Sequence, residues 1–468
     1  MGVFLMKNNH RFLAICFIAL GAFLAAGGPA MAEKPEPDLE LGKKAFLDSC
    51  ARCHGPDGKA EVPFAKRFYP RPRNLTAGVF KFRSTVSGTP PTDDDLFHTI
   101  EQGLHGSNMP DWKFLPPETR WQIVNYVKTL SPIFQDSQPE PIQTAADPGP
   151  HADKKKGRQV YEQLGCASCH GDQGRANGPS AVGLVDDWGM AIRPANLTQG
   201  WNYRGGSTAK DIMTRLLAGI DGAGMPSYTG AVTPEDAWHL AYYVQSLQEP
   251  VHWNPIADST YINGALPSKP DDERWQSIQA TDFQLRHGLE PDGSWKDAPT
   301  VNHVQVQVAH NDSEIAVRLV WDDPTEDAAA EASDRASLVL RPEGVNGDVV
   351  GLQVWPYQGS PDLDFCSWTA DGKLSEEFVA GNFQPSVLQN SPKATLSAAA
   401  SYRKDGRWEL VLQRPMKQSS VPGSAALEPN RLVPIAVVIW DGAVPEARAV
   451  SAWLDVRVGH VSAGSHAE

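Results

Sequence analysis

The sequence predicts a multidomain protein in which two all-α domains are followed by an all-β antiparallel sandwich. Three observations support this: a helical block that occurs twice, two proline-rich connecting segments, and a change from helical to alternating hydrophobic period near residue 273. With 468 residues, 41% of them hydrophobic, the chain has room for about three domains, each with its own core. We place the segments at 1–32 (export signal), 33–131 (first helical domain), 132–156 (linker), 157–249 (second helical domain), 250–272 (linker) and 273–460 (sandwich).

The charge balance restricts the class of partner. Lys and Arg number 42 against 56 Asp and Glu, which gives a formal net charge of −14. Such an acidic chain repels polyanions, so we expect no nucleic acid partner. A basic protein partner fits the charge better.

The first 32 residues have the pattern of a secretory signal. Lys7 and Arg11 precede an uncharged apolar run over 12–28, and Ala30-Met31-Ala32 supplies small residues for cleavage. We expect cleavage near Ala32 and export to the periplasm, with an uncleaved membrane anchor as the alternative. Cleavage would change the net charge to 40 − 56 = −16 and leave five cysteines. No other stretch is long and apolar enough to cross a bilayer, so the mature chain should have no membrane span.

Four of these cysteines form two copies of one motif. Cys50-Ala-Arg-Cys53-His54 and Cys166-Ala-Ser-Cys169-His170 both read C-x-x-C-H. Thiols at this spacing can add to the two vinyl groups of haem, and the adjacent histidine then lies beneath the iron. A zinc site would need further ligands at close spacing, and a redox pair would not need the histidine twice. We therefore predict two covalent haems c with His54 and His170 as iron ligands.

A methionine at the same distance from each motif is the candidate for the opposite axial position. Met109 and Met225 both lie 55 residues after the motif histidine, are followed by proline, and come three residues after a glycine. Competing candidates are His105 for the first haem and Met190 or Met213 for the second. These candidates have no counterpart in the other copy.

The repeat extends beyond the ligands, over the pairs 71–76 and 193–198 (RPRNLT and RPANLT), 94–103 and 210–219, and 121–130 and 238–247. Apolar residues recur at helical spacing in the later pairs, and Pro-Glu opens the last segment of each copy, as suits a helix N-terminus.

These residues resemble class I c-type cytochromes, small helical bundles in which a first helix ends at C-x-x-C-H and a last helix crosses it. The resemblance covers about 200 residues. It implies first helices over 41–49 and 157–164, two haems c, and electron transfer rather than catalysis. Arg71 and Arg193 are candidate partners for haem propionates, since guanidinium matches carboxylate geometry; a solvated role is equally open.

From residue 273 the hydrophobic period changes to two. Alternating runs separated by turn residues predict an antiparallel sandwich of eight or more short strands. The candidate strands are 304–308, 315–321, 337–340, 349–355, 398–402, 408–413, 432–440 and 453–458.

Three stretches of this half, 315–323, 402–414 and 435–443, resemble the haem-binding domain of ethylbenzene dehydrogenase gamma subunits and related subunits of molybdenum enzymes. That resemblance implies a b-type haem held between a methionine and a lysine. Here the only methionine after residue 225 is Met416, beside Lys417, and neighbours on a strand point to opposite faces. We therefore expect no third haem, although a b-type haem in this domain stays open.

Other residues of this half are alternatives for that pocket. Pairing of Met416 with Lys373, Lys393 or Lys404 cannot be judged from the sequence, and His303 or His310 could substitute. Cys366 is expected to be a buried, small apolar residue.

Together these predictions describe a periplasmic dihaem cytochrome c that relays single electrons between an oxidoreductase, plausibly of molybdopterin type, and other cytochromes. The molybdopterin partner rests on the resemblance alone. Two other classes stay open. A dihaem peroxidase would need one iron with an open site, and a sensor or ligand-binding module would use the β domain.

Overall fold

The computed structural model describes residues 34–289, 300–329, 332–341, 363–379, 395–417, 425–428, 431–444 and 447–459. The predicted signal 1–32, the predicted strand 349–355 and Lys393 lie outside these residues. A helical region over 39–245 is followed by a large, mostly antiparallel β-sheet domain, which confirms the predicted fold class.

The helical region repeats one order of elements. Its helices are α1 Leu39–Ser49, α2 Ala51–His54, α3 Asp93–Gln102, α4 Pro117–Thr129, α5 Ile133–Asp136, α6 Lys154–Gln163, α7 Ala167–His170, α8 Ala209–Ala218 and α9 Pro234–Gln245. No helix in the described ranges combines the length and the apolar character that a membrane crossing requires.

Glycine lets the first helix of each copy approach the last. A Cβ on Gly42 would lie 2.1 Å from the backbone oxygen of Gln122 in α4, and one on Gly157 would lie 2.1 Å from that of His239 in α9. Only a residue without a Cβ permits this approach. An aromatic pair packs at each crossing. Phe46 contacts Tyr126 in the first copy, and Tyr161 contacts Tyr243 in the second.

The third helix of each copy begins at a capping box. Thr92 accepts a hydrogen bond from the backbone N–H of Asp95, and the carboxylate of Asp95 accepts one from the backbone N–H of Thr92. Thr208 and Asp211 do the same at α8. These reciprocal bonds satisfy N–H groups that lack partners within the helix, and so fix the start of the segment that leads to each methionine loop.

The β domain has strands at β1 Ile256–Asp258, β2 Thr260–Tyr261, β3 Ala280–His287, β4 His303–His310, β5 Glu314–Asp322, β6 Ala328–Ala329, β7 Ala332–Ser333, β8 Arg335–Leu340, β9 Leu363–Thr369, β10 Leu374–Val379, β11 Ser397–Arg403, β12 Arg407–Pro415, β13 Arg431–Trp440, β14 Arg448–Ser451 and β15 Leu454–Val458. Seven of the eight predicted strands fall on these elements. The sequence analysis missed the other eight described strands, of which β3, β9 and β10 are the longest.

One continuous sheet runs in the order β10-β9-β8-β13-β14-β3-β4-β5-β12-β11, while β1, β2 and β15 pair at its side. The sheet folds over on itself at β3, which pairs with β14 on one side and β4 on the other. Alternate residues of both halves, among them Leu319, Leu338 and Val437, fill a single buried core. This is the sandwich that the alternating period predicted.

Charged contacts join the two helical domains. Arg83 is 1% exposed; its guanidinium donates to the carboxylate of Asp221 at 2.7 Å and to the backbone oxygen of Ala218 at 3.0 Å. Arg73 bonds Asp186 at 3.1 Å, and Arg215 donates to backbone oxygens of the first domain. A buried guanidinium needs such partners, so the relative position of the domains is fixed at these contacts.

The second helical domain also contacts the sandwich. Asp322, at the end of β5, accepts hydrogen bonds from Arg175 and Asn196, each at 2.8 Å. Asn177 donates to the backbone oxygen of Asp405 at 3.2 Å. The three domains therefore meet around the second C-x-x-C-H motif.

The helix crossing yields a test of stability. Gly157→Ala would favour the helix by about 1 kcal/mol, but the new Cβ meets backbone that cannot rotate away, and overpacking costs about 1–3 kcal/mol. We expect a net loss of stability in thermal unfolding. Gly459→Ala is the matched control, because a Cβ there meets no atom within 4 Å. Equal stability of the two variants would contradict the close crossing.

Candidate haem sites

Both cysteine pairs lie on short helices, α2 and α7, directly after the first helix of each copy. None of the four is joined to another by a disulfide. Burial, together with neighbouring Cys53, raises the pKa of Cys50 to about 12, and burial also raises the pKa of Cys166. Redox-active cysteines have lowered pKa values, so these environments do not favour a redox pair.

The two motif histidines are held in the same way. Nδ1 of His54 bonds the backbone oxygen of Arg73 at 3.0 Å, and Nδ1 of His170 bonds that of Ala195 at 2.8 Å. Burial lowers the pKa of both imidazoles, so the neutral ring is favoured. With Nδ1 as the donor, Nε2 keeps its lone pair for a metal ion.

The repeated R-P-x-N-L-T segment positions those two carbonyls. The side-chain oxygen of Asn74 accepts from the backbone N–H of Thr76 at 2.8 Å, and that of Asn196 accepts from Thr198 at 3.0 Å. The residue before each asparagine is the one whose carbonyl meets the histidine. The sequence analysis found this repeat but missed its role, because the contact joins segments about 20 residues apart.

The two methionine loops also have one geometry. The backbone oxygen of Met109 accepts from the N–H of Leu104, and that of Met225 accepts from Ile220, both at 3.0 Å. Gly103 and Gly219 precede these loops with φ of 65° and 70°, and a Cβ on either would lie 2.6 Å from backbone of the returning chain. Glycine is required at both positions, and this explains why each Met-Pro follows a helix that ends in glycine.

A cavity of about 740 Å³ lies where the domains meet. Its lining includes Cys166, Cys169, His170 and Met225 of the second copy together with Met109 of the first. The structure therefore brings a complete C-x-x-C-H and methionine set to one space. Cys50, Cys53 and His54 are not in the described lining of this cavity.

The alternative candidates for the axial positions differ in whether they line this cavity. His105 lines the cavity beside Met109 and has an exposed side chain. Met213 is 2% exposed in the packed core of the second domain, and Met190 is half-buried; neither is among the cavity's described lining residues. The cavity therefore favours Met225 over these two.

Cationic side chains surround the same space. Arg193, Arg204 and Lys81 line the cavity, whereas Arg71 is exposed and outside the lining. Burial and the nearby Arg73 lower the pKa of Lys81 to about 8. Within the described residues, neither Arg204 nor the Lys81 ammonium has a carboxylate bonded to it. Cations of this kind suit the propionates of haem, so the thiols, imidazoles and cations present fit that group.

The described residues around Cys366 and Arg414 do not fit a haem. Between its sheets the described residues leave a cavity of about 10 Å³, bordered by Cys366 and Arg414. Arg414 bonds the buried Asp364 at 2.9 Å. Met416 is 4% exposed, whereas the side chain of Lys417 is 74% exposed, so the two point apart. We therefore derive no role for a third haem.

The histidines of the sandwich have other partners. His303 bonds the carboxylate of Asp282 at 2.9 Å, and His310 bonds the hydroxyl of Ser259 at 2.9 Å. The first contact joins β4 to β3, and the second joins the last residue of β4 to the residue between β1 and β2. Cys366 is buried, as expected.

Comparison with known proteins identifies the two helical domains. Residues 154–248 match the family model of cytochrome c, and residues 37–127 match that of the cbb3-type cytochrome c oxidase subunit III. The two ranges enclose both C-x-x-C-H motifs and both candidate methionines.

Individual relatives agree with this. The gamma subunit of chlorate reductase from Ideonella dechloratans is 27% identical over 186 residues, 39% of this chain and 74% of the relative. A putative respiratory nitrate reductase haem subunit from Haloferax mediterranei is 26% identical over 215 residues, 43% of this chain and 71% of the relative.

Among solved structures, a chain of the reducing HAO-like protein complex of Kuenenia stuttgartiensis is 36% identical. The match covers 46% of this chain and all of that chain, with a TM-score of 0.44. The helical half of the present chain is thus a dihaem c-type cytochrome for electron transfer, made of two cytochrome c domains and related to cbb3 oxidase subunit III and to haem subunits of chlorate and nitrate reductases.

Proposed function

We propose that this chain is a periplasmic electron-relay subunit that passes single electrons between an oxidoreductase, of molybdopterin type, and other cytochromes. Two haems c are attached at Cys50/Cys53 and Cys166/Cys169. The proposed axial pairs are His54 with Met109 and His170 with Met225. The sandwich docks the two cytochrome domains, 33–131 and 157–249, onto the partner.

The observation that carries the proposal is the shared cavity between the domains. Met109 of the first copy and the four proposed ligands of the second line one space. Electron transfer needs redox groups at short, constant separation. The buried Arg83–Asp221 pair and the Arg73–Asp186 pair hold the two domains in one arrangement and so support a relay from haem to haem.

The protein's residues set the character of each site. When bound, each haem supplies a one-electron couple, and ligation by methionine with histidine raises its reduction potential. The carbonyls of Arg73 and Ala195 orient the imidazoles, and the loops after Gly103 and Gly219 carry the methionines that would supply a thioether to each haem. With a histidine and a methionine on each iron, neither haem would have room for a substrate, which argues against a peroxidase.

The partner is inferred from the relatives and from the domain arrangement. Two relatives are named as subunits of chlorate and nitrate reductases, and the family model of the first domain belongs to an oxidase subunit. Covalent haem attachment and the signal-like 1–32 both fit the periplasm. The sandwich contacts the second domain through Asp322 and the first domain through His287, whose Nε2 bonds the backbone oxygen of Arg67 at 3.0 Å, so it holds both cytochrome domains.

Haem content gives the first test. Intact-mass analysis of the exported protein should show two haem additions per chain, and acidic acetone should extract no haem, because both are covalent. Cys169→Ala together with Cys166→Ala should remove one addition. Fewer than two additions, or one extractable haem per chain, would contradict the proposed cofactor content.

Ligand exchange tests the relay against the peroxidase and sensor classes. The reduced protein should not bind carbon monoxide, and the oxidised protein should have the near-infrared sulfur-to-iron band. Met109→Ala or Met225→Ala should each remove about half of that band, lower one of the two potentials and allow one carbon monoxide per chain to bind.

Met213→Leu is the matched control, since this buried methionine is replaced at similar volume and is not in the cavity lining. It should leave the band and both potentials unchanged. Carbon monoxide binding by the unmodified reduced protein would indicate an open site and would favour the peroxidase class.

A further inference from the structure

We propose that Asp323, Asp334 and Asp441 bind a calcium ion at the edge of the sandwich next to the second cytochrome domain. One carboxylate oxygen from each lies within 4.8 Å of the others. Their exposures are 1%, 0% and 3%, so the cluster is sealed from solvent.

The sheet topology brings the three residues together. Asp334 directly precedes β8 and Asp441 directly follows β13, and these strands pair so that Arg335 faces Trp440. Asp323 follows β5, which belongs to the other half of the folded sheet. The cluster therefore joins the two halves of the sandwich at one edge.

Two of the carboxylates are oriented by hydrogen bonds. Asp334 accepts from the backbone N–H groups of Gly442 and Asp327, at 2.7 and 2.8 Å, and from the indole of Trp408 at 2.9 Å. Asp441 accepts from the backbone N–H of Ala443 at 2.7 Å and from the hydroxyl of Thr300. Oδ2 of Asp334 uses both lone pairs in these bonds, whereas Oδ1 of Asp334 and both oxygens of Asp441 each keep one for another ligand.

The third carboxylate is only half satisfied. Oδ1 of Asp323 accepts from the backbone N–H of Thr325 at 3.2 Å, but Oδ2 is buried with no hydrogen-bond partner in the described part of the chain. The indole of Trp321 is beside this carboxylate, but its N–H also lacks a hydrogen-bond partner among the described residues. A buried carboxylate oxygen without a donor is costly unless a cation contacts it. This oxygen is the observation that points to a bound ion.

The charge of the cluster supports the same conclusion. Three buried carboxylates whose oxygens lie within 4.8 Å of one another repel each other when they are ionised. A dication would allow all three carboxylates to ionise.

The donor set selects the metal. All three ligands are carboxylates, without the thiolate or imidazole that zinc and copper favour. Magnesium usually keeps several waters, which a sealed cluster does not accommodate, whereas calcium takes six to eight oxygen ligands in flexible geometry and accepts carboxylates that bind through both oxygens. Asp322, which holds Arg175 and Asn196, is next to Asp323, so the ion would also brace the cytochrome contact.

The experiment uses the full haem-loaded protein. Metal analysis of protein purified without chelator should give one calcium per chain. After treatment with a calcium chelator and desalting, titration calorimetry with calcium chloride should show one site, magnesium chloride should bind more weakly, and calcium should raise the unfolding temperature of the β domain.

Asp323→Asn keeps the shape of the side chain and should weaken calcium binding at least about tenfold. Asp258→Asn is the matched control, because Asp258 forms an exposed ion pair with Arg457 and lies outside the cluster. It should bind calcium as the unmodified protein does. Terbium luminescence excited through tryptophan gives an independent readout, since Trp408 bonds Asp334 directly.

The alternative is a cluster that shares protons rather than a metal ion. In that case the purified protein contains no calcium, millimolar calcium produces no binding heat and no change in unfolding temperature, and Asp323→Asn raises stability at neutral pH by removing repulsion. That set of results, or tight binding of zinc in place of calcium, would overturn the proposal.

Discussion

The hydrogen bond from each motif histidine to a backbone carbonyl is the constraint on which both haem sites depend. A histidine that follows two covalently attached cysteines could still rotate about its side-chain bonds. The bonds to Arg73 and Ala195 remove that freedom and leave Nε2 as the nitrogen available for the proposed iron ligation. The carbonyl in turn depends on the asparagine that follows it, so a six-residue element with no ligand of its own sets the orientation of a ligand.

The position of the domains decides what two such sites can do together. Two cytochrome domains on a flexible linker would exchange electrons only in occasional encounters. Here the buried Arg83 donates across the domain boundary to Asp221 and Ala218, and the 132–156 segment does not run free, because the backbone N–H of Ile142 bonds the oxygen of Ser84 at 3.1 Å. The cavity that contains the second site also reaches Met109. A fixed separation of this kind suits relay better than catalysis at either site.

The sequence predicted whatever is local and missed whatever depends on distant packing. The C-x-x-C-H motifs, the Met-Pro loops and the alternating strands are defined within a few residues, so spacing alone indicated them. The cavity cations were predicted less well: Arg193 lines the cavity, but its repeat partner Arg71 is exposed, because the two copies meet the rest of the protein differently. Lys81, Arg204 and the three clustered aspartates had no local signature. Strand β9 was missed because all its residues are buried and the sequence does not alternate.

In the described part of the β domain, charged and packed side chains occupy the interior. Arg414 and Asp364 place a charged pair inside the sandwich, and the packed side chains around them leave about 10 Å³. A buried ion pair contributes little net stability, but removing one partner would leave the other charge buried without it. Both side chains are therefore expected to stay in this interior, where they occupy space between the sheets. Other acidic side chains of the domain lie at its edge. There Asp322 bonds Arg175 of the second cytochrome domain, and Asp323 belongs to the carboxylate cluster. The edge that meets the haem domain, not the interior, is therefore where this sandwich can influence electron transfer.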